Sequence, residues 1–176
     1  MKKCGFSLIE ILIVISLMAI LAAGAAPTFS KMFSQQKFFD DTKNFFEMVV
    51  DARANAIAEK KCENKTSEFW KISINKNTKK YFLKCKNLDG EKILRTENFS
   101  ENTNFEKMKL DDTEKNSAEI FFLSGSAQMK IKNSGENFRK IKIFFADARN
   151  SNSQKIFCAD AIAGFPILSE NENDCN

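Results

Sequence analysis

Gly5-Phe6-Ser7-Leu8-Ile9-Glu10 runs without a break into Ile11-Leu12-Ile13-Val14-Ile15-Ser16-Leu17-Met18-Ala19-Ile20-Leu21-Ala22-Ala23-Gly24-Ala25-Ala26. At a helical rise of about 1.5 Å per residue, this almost wholly apolar stretch reaches roughly 30 Å, the thickness of a bilayer's hydrocarbon core. It predicts a membrane helix, and the rest of the chain is what that helix carries. The exception is Glu10, since a carboxylate inside such a segment costs on the order of 3 kcal/mol on insertion scales. A partner for Glu10 is therefore expected.

Three readings compete for the segment. Lys2, Lys3, the apolar run and Ala23-Gly24-Ala25 supply the parts of a secretory signal peptide. That reading gives Glu10 no purpose, and the run is longer than the usual signal core. A plain membrane anchor fits the length but leaves Glu10 equally idle. In the third reading the chain is cut after Gly5, and the new amine of Phe6 lies one helical turn from Glu10. The buried acid then gains a cationic partner.

Lys3-Cys4-Gly5-Phe6-Ser7-Leu8-Ile9-Glu10 and the apolar run up to Pro27 resemble the class III signal of type IV pilins and type II secretion pseudopilins. The shared features are a short basic leader ending in Gly5, an aromatic Phe6, Glu10 five residues past the cut, and Pro27 after the run. The resemblance implies cleavage after Gly5 and methylation of Phe6 by a prepilin peptidase. It also implies assembly with other pilin or pseudopilin subunits through the N-terminal helix, with Glu10 meeting the Phe6 amine of a neighbour.

Bulk properties agree with a structural role. A chain of 176 residues suggests one domain with a modest core. The formal charge of +4, which includes Lys2 and Lys3, is too small a bias to imply nucleic acid. There is no His, which removes the commonest metal ligand and general base, and no Gly-rich phosphate loop. No catalytic residue, cofactor or metal site is expected. Lys2 and Lys3 before the apolar run place the leader in the cytoplasm and send the rest outward, as a single-pass protein of the cytoplasmic membrane.

Pro27 and Gly24 predict a kink, because proline lacks an amide hydrogen and disfavours helix in the residue before it. Beyond it Phe29, Phe33, Phe38, Phe39, Phe45, Phe46, Val49, Ala52, Ala56 and Ile57 fall mostly three, four or seven apart, an amphipathic stripe. Lys31, Lys37, Asp40, Asp41, Lys43, Glu47, Asp51 and Arg53 are assigned to the solvent face. A helix from Phe6 to about Lys61 reaches roughly 80 Å. After Cys62 the period changes to two, with strands expected at Phe69–Ile74, Tyr81–Lys86, Lys92–Thr96, Ala118–Leu123, Ala127–Lys132, Arg139–Phe145 and Gln154–Ala159. Ser100–Asn116, apolar only at Phe105, Met108 and Leu110, reads as a long surface loop holding one strand, and the tail from Ser169 as acidic and polar.

The fold class is α+β: a long N-terminal helix, membrane-spanning in its first half and amphipathic in its second, packed on a C-terminal antiparallel β domain of two small sheets. The divisions are residues 1–5 as leader, 6–27 as transmembrane and assembly helix, 28–62 as amphipathic helix and 63–176 as globular domain. The order also resembles the GspH/FimT branch of the pseudopilins. Asp51-Ala52-Arg53-Ala54-Asn55-Ala56-Ile57 matches its helix motif, and Ile120-Phe121-Phe122-Leu123-Ser124-Gly125-Ser126-Ala127 its strand and Gly turn. Where that branch often has another Gly, this chain has Ala148-Arg149-Asn150.

Loss of Cys4 with the leader leaves Cys62, Cys85, Cys158 and Cys175, an even number suited to an oxidising compartment. Three pairings exist, and nearness in sequence selects Cys62 with Cys85 and Cys158 with Cys175. Lys76, Lys79, Lys80, Lys84 and Lys86 beside Trp70 and Tyr81 suggest a basic aromatic patch of the kind single-stranded nucleic acid favours. A solvated hairpin face is the preferred reading of those lysines.

Overall fold

The structure, a computed structural model, describes residues 7–175, without the side chains at 25–27 and 151. Helix α1 covers Leu8–Ile57, 50 residues and about 75 Å at 1.5 Å per residue. Its segments Leu8–Gly24 and Thr28–Ile57 meet at a bend of 43°. The helix stops at Ile57, short of the expected Lys61. Glu59 there has φ 49°, incompatible with a further turn, and Cys62 pairs with Lys65 in an isolated bridge.

Among the described residues eleven strands follow: β1 Phe69–Asn75, β2 Lys80–Asn87, β3 Gly90–Asn98, β4 Thr103–Leu110, β5 Thr113–Glu114, β6 Ser117–Leu123, β7 Met129–Asn133, β8 Glu136–Phe138, β9 Lys140–Asp147, β10 Asn150–Asp160 and β11 Pro166–Ser169. They form two antiparallel sheets, β3-β2-β1-β6-β7-β8 and β11-β10-β9-β4-β5. Alternation in β1 sends Trp70, Ile72 and Ile74 inward, and β2 contributes Tyr81, Leu83 and Cys85 to the same core.

The strand expected within Ser100–Asn116 is β4, but it is no surface element: it is an inner strand of the second sheet that buries Thr103, Phe105, Met108 and Leu110. A bulge between Phe105 and Lys107 shifts the side-chain alternation by one residue. The period-two signal is broken at that point, which is why composition dominated the reading. Strand β11 was also absent from the sequence reading. It begins at Pro166 and lies at a sheet edge, where a residue lacking an amide hydrogen is tolerated.

The second half of α1 packs against both sheets. Phe38, Phe45, Met48, Val49, Ala52 and Ala56 form its buried stripe, and the Phe45 ring lies 5.0–5.9 Å from those of Tyr81, Phe99, Phe145 and Phe157. Phe29 and Phe33, assigned to the same stripe, are exposed because the packed section begins only at Ser34.

Three polar contacts fix the helix on the sheets. Near its middle the Asp41 carboxylate, buried and not on the solvent face, accepts hydrogen bonds from Ser100 N (2.8 Å), Ser100 Oγ and Thr103 Oγ1 (2.7 Å). At the start of the packed section Ser34 donates to Asp147, and Arg149 donates to Ser30 at 3.0 Å. At its end Gly125 N–H donates to the Ala56 carbonyl at 2.9 Å, closing one of the carbonyls that a helix end leaves open. Gly125 has φ 73°, and a Cβ there would lie 2.8 Å from a Glu59 carboxylate oxygen. The Ala-Arg-x-x-Ala-Ile stretch and the Gly turn are thus two sides of one contact.

Candidate functional site

The first half of α1 has no packing partner among the described residues. Its large apolar side chains from Leu8 to Leu21 are 49–77% exposed, and leaving such a side chain in water instead of burying it forgoes roughly 1.5–3 kcal/mol. Ser16 donates to the Leu12 carbonyl at 2.8 Å, so its hydroxyl needs no outside partner. Among the described residues no single helix is long and apolar enough to cross a membrane. The bent pair Leu8–Gly24 and Thr28–Ile57 passes by length and composition when taken together.

Glu10 stands at the head of this surface. Ser7 is extended (φ −72°, ψ 144°) at the helix N-cap, and its backbone N–H donates to Glu10 Oε2 at 2.9 Å. The carboxylate therefore satisfies one of the open amides of the first turn and lies where the helix dipole favours negative charge. No ion pair to Glu10 is formed among the described residues. Gly5 and Phe6, the expected processing site, lie outside the described residues, as does Cys4. Gly24 closes the first straight segment, and the 43° bend falls between it and Thr28.

Cys62 is bonded to Cys85 and Cys158 to Cys175, with Cα–Cα distances of 5.9 and 5.7 Å. The first joins the exit from α1 to β2. The second draws the C-terminal turn Glu172–Cys175 onto β10. No group of three or more His, Cys, Asp or Glu is placed to hold a metal ion among the described residues.

The aromatic patch takes a different form from the one read in the sequence. Trp70 and Tyr81 are each 2% exposed and belong to the core, with Trp70 Nε1 donating to Ser67 Oγ at 3.1 Å. Alternation places them on the opposite face of the sheet from Lys84 and Lys86. The rings on that outer face are Phe69, Phe82 and Phe121, each with a lysine ammonium 5.1–6.0 Å from its centre: Lys86, Lys84, Lys132 and Lys71. Lys71 is buried between Glu91 and Glu119, at 2.8 and 2.9 Å. Burial works against its charge, but the hydrogen bonds it donates to both carboxylates, with their negative charges, outweigh that and hold its pKa above the ordinary lysine value. The sequence carries no signal for this buried ion group, because its two acids come from other strands, Glu91 on β3 and Glu119 on β6.

Residues 1–26 match the prokaryotic N-terminal methylation motif. No curated protein matches the sequence. Among solved structures, the minor pseudopilin EpsH from the type 2 secretion system of Vibrio cholerae is similar in fold, with a TM-score of 0.53 and 13% identity over 76% of this chain and 97% of that one. The chain thus carries a prepilin-type N-terminus on a pseudopilin-like α+β fold.

Proposed function

We propose that this chain is a minor pilin or pseudopilin, a structural subunit and not a catalyst. It waits in the cytoplasmic membrane with its β domain outside, is cut after Gly5 by a prepilin peptidase, methylated on Phe6, and joins a filament through α1. The observation that carries the reading is the exposed apolar half of α1, headed by Glu10, on a domain whose core is complete without it. The methylation motif supports the processing step. The likeness to a minor pseudopilin supports the fold.

In this reading Glu10 changes partner. Before cleavage its carboxylate is held by the Ser7 amide. After cleavage the Phe6 ammonium of a neighbouring subunit competes for it, and in hydrocarbon that pair is worth more than either group alone. Intact-mass analysis of the protein from membranes tests the processing: the expected species begins at a methylated Phe6. A species beginning at Ala26 would return the segment to an ordinary signal peptide.

A subunit whose β domain binds nucleic acid is the second reading. Its support is the outer face of the first sheet, with Phe69, Phe82 and Phe121 among lysines. Those rings are already faced by the chain's own ammonium groups, which weakens them as stacking platforms. Strongly salt-dependent DNA binding by the full chain would favour this reading.

A further inference from the structure

The outer face of the second sheet breaks a pairing rule. Lys109 on β4 stands directly opposite Lys142 on β9, and Lys107 stands opposite Phe144. Like charges directly opposite each other are destabilising in an antiparallel pair. Phe144 anchors the stems: the Lys107 and Lys109 ammonium groups lie 4.4 and 5.9 Å from its ring centre.

Among the described residues no carboxylate lies at ion-pair distance from Lys107 or Lys109. Glu114, opposite Lys109 on β5, turns to Lys76 at 3.2 Å. Asp111 accepts backbone hydrogen bonds from Arg139 (2.9 Å) and Lys140 (2.7 Å). Asp160 faces Arg139 at 3.5 Å. Asp112 stands on the rim of a cavity of about 120 Å³ that Lys109, Asp111, Lys140 and Lys142 also line.

The chain itself shows what this face accepts. Its tail folds back after β11, where the Cys175–Cys158 bond pins it, and Glu172 comes to rest 3.6 Å from Lys142. One end of the lysine row is therefore met by an acidic segment, while Lys107 and Lys109 continue the row past it.

We propose that the Lys107–Lys109 end of this face docks an acidic segment of a neighbouring protein chain, in the manner in which Glu172 of the tail meets Lys142. The contact needs no filament, so it stands or falls separately from the assembly reading.

The probe is a labelled peptide with the sequence of residues 169–176 carrying Cys175→Ser, titrated against the full chain in detergent by fluorescence anisotropy. Binding at low salt is expected, with an affinity loss of about tenfold in Lys107→Gln/Lys109→Gln, the scale of a surface pair or two removed. The Lys130→Gln/Lys132→Gln control on the other sheet should bind as the wild type does. A photo-crosslinking version of the peptide should attach to β4 in the unaltered chain, a readout that needs no variant to fold. Absence of binding, equal loss in both variants, or crosslinks elsewhere would overturn the proposal. So would an oligonucleotide of similar length that bound more tightly with the same dependence on Lys107 and Lys109, which would assign the strip to nucleic acid.

Discussion

Helix α1 carries two acids in opposite circumstances. Asp41 is 4% exposed and receives hydrogen bonds from Ser100 and Thr103 of the same chain. Glu10 is exposed among exposed apolar side chains and, among the described residues, receives the Ser7 amide alone. Around Asp41 the helix is finished by its own domain, whereas around Glu10 it presents surface that none of the described residues covers. The lesson is separability: a change in one half should register in folding, and a change in the other in association.

The sharpest way to break that division is to remove each acid. Glu10→Ala should be cleaved, stay in the membrane and keep an unaltered melting transition, yet be absent from sheared filaments. Its normal incorporation would mean that apolar packing alone suffices. Asp41→Ala should do the reverse. It leaves the buried donors of Ser100 and Thr103 unmatched, for a loss of about 4 kcal/mol in denaturant unfolding. A stability within error of the wild type would show that the polar pin is dispensable and that the aromatic cluster around Phe45 holds the helix alone.

The two disulfides sharpen the picture within the domain. Their sequence separations of 23 and 17 are similar, and a chain-entropy model assigns each about 3 kcal/mol. Their surroundings differ: Cys62 and Cys85 are in the main core, while Cys158 and Cys175 sit with Phe144 and Ile156 in a small outer cluster. Cys62→Ser/Cys85→Ser should therefore lower the melting temperature more than Cys158→Ser/Cys175→Ser, whose main effect should be faster proteolysis of the tail beyond Ser169. Equal melting temperatures for the two double variants would contradict this ranking.

Legibility in the sequence followed the regularity of the pattern. The long helix, the first hairpin and β6, β9 and β10 were readable because Trp70-Lys71-Ile72-Ser73-Ile74 and its like keep a strict period of two. The bounds and inner position of strand β4 were obscured by one bulge residue beside Phe105. Asp41 was misassigned because the helical period marks which face is apolar, not which acid finds donors 59 and 62 residues away in sequence. The division of strands between sheets was also beyond pattern: β4 parts from β3 and pairs with β9 on one side and β5 on the other, a choice made by long-range packing. The N-terminal segment was legible through the placement of one acid in an apolar run, a local feature that needs no tertiary structure to be seen.

The smallest expected effect concerns the alkaline limb of stability, and it is confined to the domain half. The Tyr81 ring packs against Phe45 and Phe99, with centres 5.2 and 4.8 Å away. Burial, then the negative charges of Glu97 and Asp41, push its hydroxyl well above the ordinary phenol value. A folded-state pKa above the unfolded one contributes stability that is fully present below the unfolded value of about 10 and is lost as pH rises through the folded value. Lys71 acts in the same sense, because its pKa is also raised in the folded state. Tyr81→Phe removes the phenol's share and leaves that of Lys71, so its Tm should fall less between pH 10 and 11 than the wild type's while the two run parallel at neutral pH, where both groups hold their protons. Glu10→Ala, altered in the other half of the helix, should trace the wild-type curve throughout. A Tyr81→Phe protein with an undiminished alkaline fall would place the loss on the surface lysines instead, and a Glu10→Ala protein with a changed curve would show that the two halves of α1 are energetically coupled after all.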